Sequence, residues 1–231
     1  VLVEKPMALS VADSRELISL SDKFNVNLMV GHVLLFHPAV RKIKEIIDAG
    51  KIGELQYLYS NRLNLGKVRT EENVFWSLAP HDIAIFQYLT GSFPIDIHSR
   101  GSTFLQKGIP DSTMTSLVYE NGIEGHIFVS WLHPFKEHRL VVIGSEAMIS
   151  FEDTLDGKPL KLYSKKFDFI SGIPEKVDGP VELVSYKQKM PLTEELKYFI
   201  DHLNGKRLKI NNAQNGLDVV KILVQAGRQL L

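Results

Sequence analysis

Hydrophobic positions at the start of the chain follow the pattern of a strand, a helix and a second strand. Residues 1–3 and 28–30 are continuous apolar runs, the second within a predicted strand over 27–31, and residues 11–24 carry apolar side chains at helical spacing. Continuous apolar strands are typical of a parallel sheet that is buried on both faces. The pattern therefore predicts a βαβ unit, and a further helix that begins near Pro38.

The hydrophobic period changes to two from residue 55 onward. Residues 55–63 alternate between apolar and polar side chains, which indicates a strand with one buried face. A helix over roughly 78–89 interrupts this region, and Asn121-Gly122 is a strong signal for a hairpin turn. Further strands of an antiparallel sheet are expected at 94–104, 112–119, 123–131, 138–144 and 147–151.

The last third of the chain has a weaker pattern before its helices. Residues 155–190 are rich in Lys, Gly and Pro, and we expect short strands and long surface connections there. Helices are predicted at 193–203, with Thr193 as a possible cap, and at 213–231. The first of these helices should bury an apolar face made of Leu196, Phe199, Ile200 and Leu203.

These elements together predict an α+β fold. Residues 1–34 are expected to end a parallel α/β domain, and residues 35–231 to form a second domain. That second domain would be built on a mainly antiparallel, open-faced sheet with helices on one face, and the terminal helices over 193–231 would pack back against it.

Composition narrows the class of protein without naming an activity. The chain has 231 residues, 44% of them hydrophobic and 23% charged, and it begins at Val1 with an apolar run, so we expect it to be part of a longer protein. The absence of cysteine excludes thiol catalysis and Cys-ligated metal, and it favours a reducing cytoplasmic location. Zero net charge and the lack of a long apolar run argue against nucleic acid or a membrane as partner.

Lys5 is a candidate catalytic residue because of its place in the predicted sheet. It lies in Glu4-Lys5-Pro6 at the carboxyl end of a parallel strand, where open α/β sheets bind their ligands. A partly desolvated lysine there would have a lowered pKa and be able to bind a substrate hydroxyl. The alternative is a surface turn in which Pro6 ends the strand and Lys5 is solvated.

His81 is the second candidate. It lies next to Pro80, near the predicted start of a helix, and the positive end of the helix dipole would keep its imidazole neutral. Asp82 would either orient His81 or complement the helix dipole, and it is also a candidate substrate-binding residue. The alternative is a packed, hydrogen-bonded histidine without a catalytic role.

The segment between these candidates contains groups suited to a polar substrate. Arg62 and Arg69 offer contacts to phosphate or carboxylate, and Asn64 and Asn73 offer amides for sugar-like hydroxyls. Trp76 would complete the substrate-binding set. The alternative is a solvated loop that the aromatic side chains anchor.

Two histidine pairs have spacings that occur among metal ligands, His32 with His37 and His133 with His138. No set of carboxylates accompanies either pair in the sequence, so we expect no metal site.

The order of these motifs resembles the Gfo/Idh/MocA family of NAD(P)-dependent oxidoreductases along nearly the whole chain. The motifs that carry the resemblance are Glu4-Lys5-Pro6, Gly31-His32, Phe36-His37-Pro38, Ile52-Gly53-Glu54-Leu55, His81-Asp82 and Tyr88-Leu89-Thr90-Gly91. Residues 62–66, 73–76 and 79–83 look most like the branch that oxidises C3 of UDP-N-acetylglucosamine or its uronic acid.

The resemblance implies a dehydrogenase whose hydride acceptor is NAD or NADP. Lys5 and His81 match the family's catalytic lysine and histidine, and Glu4, Lys5, Pro6 and His32 are implied to contact the cofactor. The first 34 residues would then be the end of a Rossmann domain whose glycine-rich turn does not occur here. Ser77 stands where many members have aspartate.

The implied substrate is a sugar or sugar nucleotide, and the implied assembly is a homo-oligomer, dimer or tetramer, formed through the open sheet face. The alternative, which the serine at position 77 favours, is a non-catalytic assembly or ligand-binding subunit.

Overall fold

A parallel βαβ unit opens the chain in the computed structural model, which describes residues 1–230. Strand β1 (Leu2–Glu4) pairs in parallel with β2 (Met29–Gly31), and helix α1 (Val11–Lys23) connects them. The Oγ of Ser10 accepts a hydrogen bond from the backbone N–H of Asp13 at 3.0 Å and caps the helix. The unit agrees with the prediction from the apolar runs.

A short 3-10 helix, Val33–Phe36, leads from β2 into helix α2 (Pro38–Asp48). Pro38 occupies the first turn of α2, where the missing N–H of proline costs no hydrogen bond. The Nδ1 of His37 accepts from the backbone N–H of Ala39 at 3.1 Å and caps this helix, so His37 has a structural role.

An eight-stranded sheet forms the second part of the molecule. Its strand order is β10-β9-β8-β7-β3-β6-β5-β4, and every neighbouring pair is antiparallel except β3 with β6, which is parallel. The strands are β3 (Leu55–Leu63), β4 (Asp96–Ser102), β5 (Ser112–Val118), β6 (Glu124–Ser130), β7 (Glu137–Gly144), β8 (Met148–Glu152), β9 (Leu160–Ile170) and β10 (Ile173–Leu183). The mainly antiparallel sheet of the sequence-based prediction is confirmed.

Helix α3 (Val74–Thr90) packs on one face of this sheet and supplies much of its core. Phe75, Ile83 and Phe86 of α3 are fully buried. A Cβ atom added at Gly125 of β6 would lie 2.8 Å from a ring carbon of Phe86, so glycine allows this close approach. The opposite face carries half-exposed and exposed side chains, such as Tyr57, and no helix within residues 1–230 covers it.

The start of α3 differs from the prediction. The helix begins at Val74 rather than near residue 78, because Asn73 is its N-cap and accepts from the backbone N–H of Trp76 at 3.1 Å. Pro80 lies inside the helix and does not begin it. The helix ends at Gly91, whose φ of +68° is the left-handed conformation that glycine adopts without strain.

The prediction for residues 155–190 was wrong. This region forms the long hairpin of β9 and β10, with 11 residues in each strand, instead of short strands and long connections. Only the first residues of β9, Leu160–Tyr163, pair with β8. Most residues beyond this point are exposed on both faces, including Phe167 and Phe169, so the alternation that reveals a half-buried strand is missing.

Two helices close the described chain, α4 (Pro191–Asp201) and α5 (Ala213–Gly227). The proposed Thr193 cap is wrong, since α4 begins two residues earlier after Met190. The expected apolar face of this helix is also wrong in part, because Leu196, Ile200 and Leu203 are exposed and Phe199 is partly buried.

Helix α5 packs against α1, α3 and β2. It ends four residues before the predicted position 231, and Leu231 lies outside the described residues. No helix within residues 1–230 has the length and apolar content needed to cross a lipid bilayer.

Candidate functional site

Lys5 follows β1 and is half-buried rather than free in solvent. Its Nζ donates a hydrogen bond to the backbone oxygen of Ser77 in α3 at 2.8 Å. Burial lowers the pKa of Lys5, the carboxylate of Glu72 opposes this shift, and the charge of Arg69 adds to it. The alternative of a solvated surface turn does not describe this lysine.

His81 lies one helical turn beyond Ser77, so Lys5 contacts α3 next to the histidine. It is the eighth residue of α3 and not close to the helix start, which removes the helix dipole as the cause of its neutrality. Burial, followed by the charges of Arg62 and Lys5, holds the pKa of His81 well below its usual value. Its buried Nδ1 has no hydrogen-bond partner within residues 1–230.

Arg62 and Asp82 form a buried ion pair. Arg62 Nε donates to Asp82 Oδ2 at 2.8 Å and Nη2 donates to Oδ1 at 3.0 Å, a bidentate contact between β3 and α3. The two residues are only 8% and 3% exposed. The sequence analysis gave Asp82 as a possible orienting group for His81, but both of its oxygens are used by Arg62.

A cavity of 440 Å³ opens beside His81, within the range of about 300–1,000 Å³ that is typical of small-molecule sites. Its lining residues are Val33, Leu34, Arg62, His81, Lys136, His138, Asp153, Thr154 and Lys158. Burial, with the charges of Arg62 and Lys136, lowers the pKa of His138 to about 4. His81 and His138 are therefore both neutral at pH 7, and Arg62 and Lys136 give the cavity a positive environment.

His138 was missed as a site residue by the sequence analysis, which considered it only as a metal ligand. Its neighbour across the sheet is Arg62, because β3 and β7 pair in a register that places these two residues opposite each other. Arg62 and His138 are 76 positions apart, and a single sequence does not indicate which residues of two distant strands will lie opposite each other.

Asn73 and Trp76 lie at a different cavity from His81. This second cavity has a volume of 460 Å³ and is lined by Leu9, Thr70, Glu71, Glu72, Asn73, Trp76, Gly108 and Ile109. The amide oxygen of Asn73 is occupied as the cap of α3. The structure thus separates these two predicted substrate residues from Arg62 and His81.

Arg69 and Asn64 complete the predicted substrate set. Arg69 is exposed, and its Nε lies 3.1 Å from Glu72 Oε1 in an ion pair. The Oδ1 of Asn64 is buried and has no hydrogen-bond partner within the described chain. Asn64 is therefore the member of this set with an unused acceptor.

The carboxyl ends of β1 and β2 lie side by side, next to Lys5 and His32. A Cβ atom added at Gly31 would lie 3.2 Å from Glu4 Oε2 and 3.3 Å from the backbone oxygen of Val3, so the two strand ends leave little space. His32 is 1% exposed, and neither ring nitrogen has a partner within residues 1–230. Burial and the charge of Lys5 lower its pKa to about 4. These neutral, unpartnered nitrogens fit a ligand that carries hydrogen-bonding groups.

Two buried polar residues from the C-terminal part of the chain, Asn211 and Glu195, lie next to the backbone of His32. Asn211 Nδ2 donates to the backbone oxygen of His32 at 3.2 Å and to Glu195 Oε1 at 3.3 Å. Burial and the charge of Glu4 raise the pKa of Glu195 to about 7. The sequence analysis missed this cluster, although a glutamate within a short amphipathic helix was the available signal.

Comparison with known proteins gives a family match within the sheet domain. Residues 40–150 match the model described as GFO/IDH/MocA C-terminal domain. UDP-N-acetylglucosamine 3-dehydrogenase of Acidithiobacillus ferrooxidans is 25% identical over 209 residues, which are 89% of this chain and 63% of that protein. The scyllo-inositol 2-dehydrogenase (NAD(+)) of Bacillus subtilis is 27% identical over 186 residues, which are 76% of this chain and 54% of that protein.

The chain spans about half the length of the curated relatives it matches, from 39% to 63%. A solved structure of UDP-N-acetylglucosamine 3-dehydrogenase from Acidithiobacillus ferrooxidans covers 99% of this chain and 70% of its own, with a TM-score of 0.84 at 22% identity, which shows the same fold. Residues 40–150 thus match the C-terminal domain of the Gfo/Idh/MocA family, and the relatives that the chain resembles include dehydrogenases.

Proposed function

We propose that the protein is an NAD(P)-dependent dehydrogenase that oxidises a secondary hydroxyl of a sugar or sugar nucleotide. C3 of a UDP-N-acetylhexosamine or of its uronic acid is the proposed position. The observation that carries the proposal is the neutral, largely buried His81 of α3, with the Lys5 ammonium hydrogen-bonded to the carbonyl of Ser77 one turn earlier on that helix. The sugar-nucleotide and inositol dehydrogenases among the relatives support the substrate class.

His81 is suited to accept the hydroxyl proton. Its low pKa keeps the imidazole neutral at pH 7, so the ring can take up a proton, and the side chain lines the 440 Å³ cavity. Lys5 carries the positive charge of the pair, and its hydrogen bond to the Ser77 carbonyl fixes the ammonium group near His81. A cation in this place would stabilise the alkoxide that forms as the proton leaves.

Residues 1–34 are proposed as the end of a dinucleotide-binding domain and residues 35–231 as the substrate domain. Glu4, Pro6 and His32 would contact the cofactor, because the unpartnered ring nitrogens of His32 fit a polar group such as a carboxamide or a ribose hydroxyl. When it is bound, the nicotinamide supplies the acceptor for the hydride that leaves the carbinol carbon.

We further propose a cytoplasmic homo-oligomer with no nucleic acid or membrane partner. The sheet face opposite α3 is not covered by a helix of the described chain, and it presents side chains such as Tyr57 and Met114, which are 39% and 60% exposed. A second copy of the chain would cover this face.

The test is turnover by the protein in its full natural length. We expect reduced cofactor to accumulate when NAD or NADP is mixed with UDP-N-acetylglucosamine or its uronic acid. Lys5→Met and His81→Gln should each lower kcat/KM by about 100-fold or more, because each removes a group that acts on the hydroxyl.

Two exposed residues provide matched controls, Lys51→Met and His98→Gln, and both should leave turnover unchanged. The proposal fails if no member of a panel of UDP-sugars, free sugars and inositols is oxidised. That result would favour the non-catalytic subunit. Ser77 supports this alternative because it provides Lys5 with a backbone carbonyl and no carboxylate.

A further inference from the structure

The cavity beside His81 has more positive than negative charge. The charge of Arg62 is balanced by Asp82, and that of Lys158 by Asp153, whose Oδ1 lies 2.7 Å from Lys158 Nζ. Lys136 has no carboxylate within ion-pair distance anywhere in residues 1–230. One lysine charge in this cavity is therefore left without a counter-ion from the described chain.

Two loops bring these groups to one end of the sheet. Lys136 ends the connection from β6 to β7, and Lys158 lies in the turn between β8 and β9. His138 follows Lys136 at the start of β7 and is the register partner of Arg62. The four side chains line the same 440 Å³ cavity as His81, together with Thr154.

The positive charges around this cavity lower the pKa values of its two histidines. The charges of Arg62 and Lys136 both oppose protonation of His138, and the charge of Arg62 opposes protonation of His81. Neutral imidazole can donate one N–H. The lysine ammonium is a compact cation that can form an ion pair with phosphate or carboxylate. An oxyanion bound here would meet a cation, a hydroxyl and imidazole N–H groups.

We infer that this cavity binds an oxyanion of the substrate, with Lys136 and His138 as the binding groups, so that the substrate is an anionic sugar derivative and not a neutral sugar. The inference rests on the proposed function in taking this cavity as the substrate site. The shared chemistry is that of a phosphate or a carboxylate, and the sources are the diphosphate of a nucleotide sugar and the acid group of a uronic acid.

Calorimetric binding to the full-length protein separates these sources without needing turnover. The probes are UDP against uridine, and glucuronate against N-acetylglucosamine, so that each anion has a neutral counterpart. We expect at least one anion to bind about tenfold or more tightly than its counterpart, since a charge-assisted contact contributes on this scale. UDP would identify the phosphate source and glucuronate the carboxylate source.

Lys136→Ala should weaken binding of that anion by about tenfold and leave its neutral counterpart unaffected. Lys51→Ala is the matched control, because Lys51 is also exposed and lies at the opposite end of the domain, beside the start of β3, so its affinity should equal that of the unchanged protein. Both lysines are on the surface, and equal melting temperatures would show that the variants are folded.

A second measurement follows His138 by its imidazole NMR signals as pH is varied. The bound anion should move the titration of this histidine to higher pH, because a negative charge stabilises imidazolium. Equal affinity of each anion and its neutral counterpart, or an unchanged affinity in Lys136→Ala, would overturn the inference. Anion binding without any turnover would retain the oxyanion site and contradict the dehydrogenase proposal instead.

Discussion

Two buried acidic side chains in this protein have opposite surroundings. Asp82 is 3% exposed and meets the fork of Arg62 with both oxygens, so its charge is compensated. Glu195 is also 3% exposed, but its hydrogen-bonding neighbour is the neutral amide of Asn211, and the charge of Glu4 opposes its ionisation. The first carboxylate has an arginine as its ion-pair partner, whereas burial raises the pKa of the second.

Glu195→Gln should therefore change how stability depends on pH. The pKa of Glu195 is raised in the folded state from 4.5 to about 7, so its favourable contribution to folding is complete below pH 4.5 and is lost as pH rises to about 7. Relative to the unchanged protein, the variant should gain about 1 to 3 kcal/mol in free energy of unfolding between pH 5 and pH 8. Urea unfolding at both values measures this difference.

Glu194→Gln is the matched control, one residue away on α4. Lys189 donates to Glu194 at 2.7 Å and lowers the pKa of that carboxyl, so this variant should show the opposite sign of pH dependence. The same pH dependence in Glu195→Gln and in the unchanged protein would contradict the account of a neutral buried acid.

At the scale of single elements, α3 shows how one helix sets the site. Its cap at Asn73 fixes where the helix begins, and that start determines which turns face Lys5 and Arg62. Pro80 cannot donate to the carbonyl four residues earlier, yet the helix continues through it to Gly91. Tertiary packing of this apolar helix outweighs the local cost of an internal proline.

The two roles considered for Asn73 predict different outcomes. Asn73→Ala should reduce the free energy of unfolding by about 1 kcal/mol, because it removes the side-chain oxygen that accepts from Trp76 N–H. Asn73→Ser keeps a capping oxygen and loses the amide, so stability should be close to that of the unchanged protein. If KM also remains unchanged in Asn73→Ser, the substrate role is excluded, and a raised KM would restore it.

At the scale of the whole molecule, the open face of the eight-stranded sheet is a large surface that the described chain leaves uncovered. Alternate positions of β3, β5 and β6 point away from α3 and carry apolar groups, among them Tyr57, Met114 and Phe128. Met114 and Phe128 are register partners on adjacent strands. A face of this kind is typical of a surface that a second copy covers.

Met114→Asp should dissociate the proposed homo-oligomer, because association would bury an unpaired charge on this face. Light scattering after size-exclusion chromatography should show a smaller mass for this variant. Met190→Asp is the control, since Met190 is 71% exposed but precedes α4 and lies off the sheet. A single mass for all three proteins, whether monomer or oligomer, would contradict an interface through Met114.

The sequence determined the elements whose signals are local. Helix caps, turn residues and a half-buried alternation act within a few residues, so α1, α2, most sheet strands and the turn at Asn121-Gly122 followed from the pattern. The hairpin of β9 and β10 was not predicted, because strands exposed on both faces show no alternation of apolar and polar residues.

Only the tertiary structure decided which charges meet. The neutrality of His81 was expected from the sequence, but its cause is burial beside Arg62 and not a helix terminus. The Arg62–Asp82 pair and the approach of His138 depend on strand register and helix packing between residues far apart in the chain. Local patterns place a side chain on an element and a face, whereas its pKa and its partner depend on what the other elements bring against it.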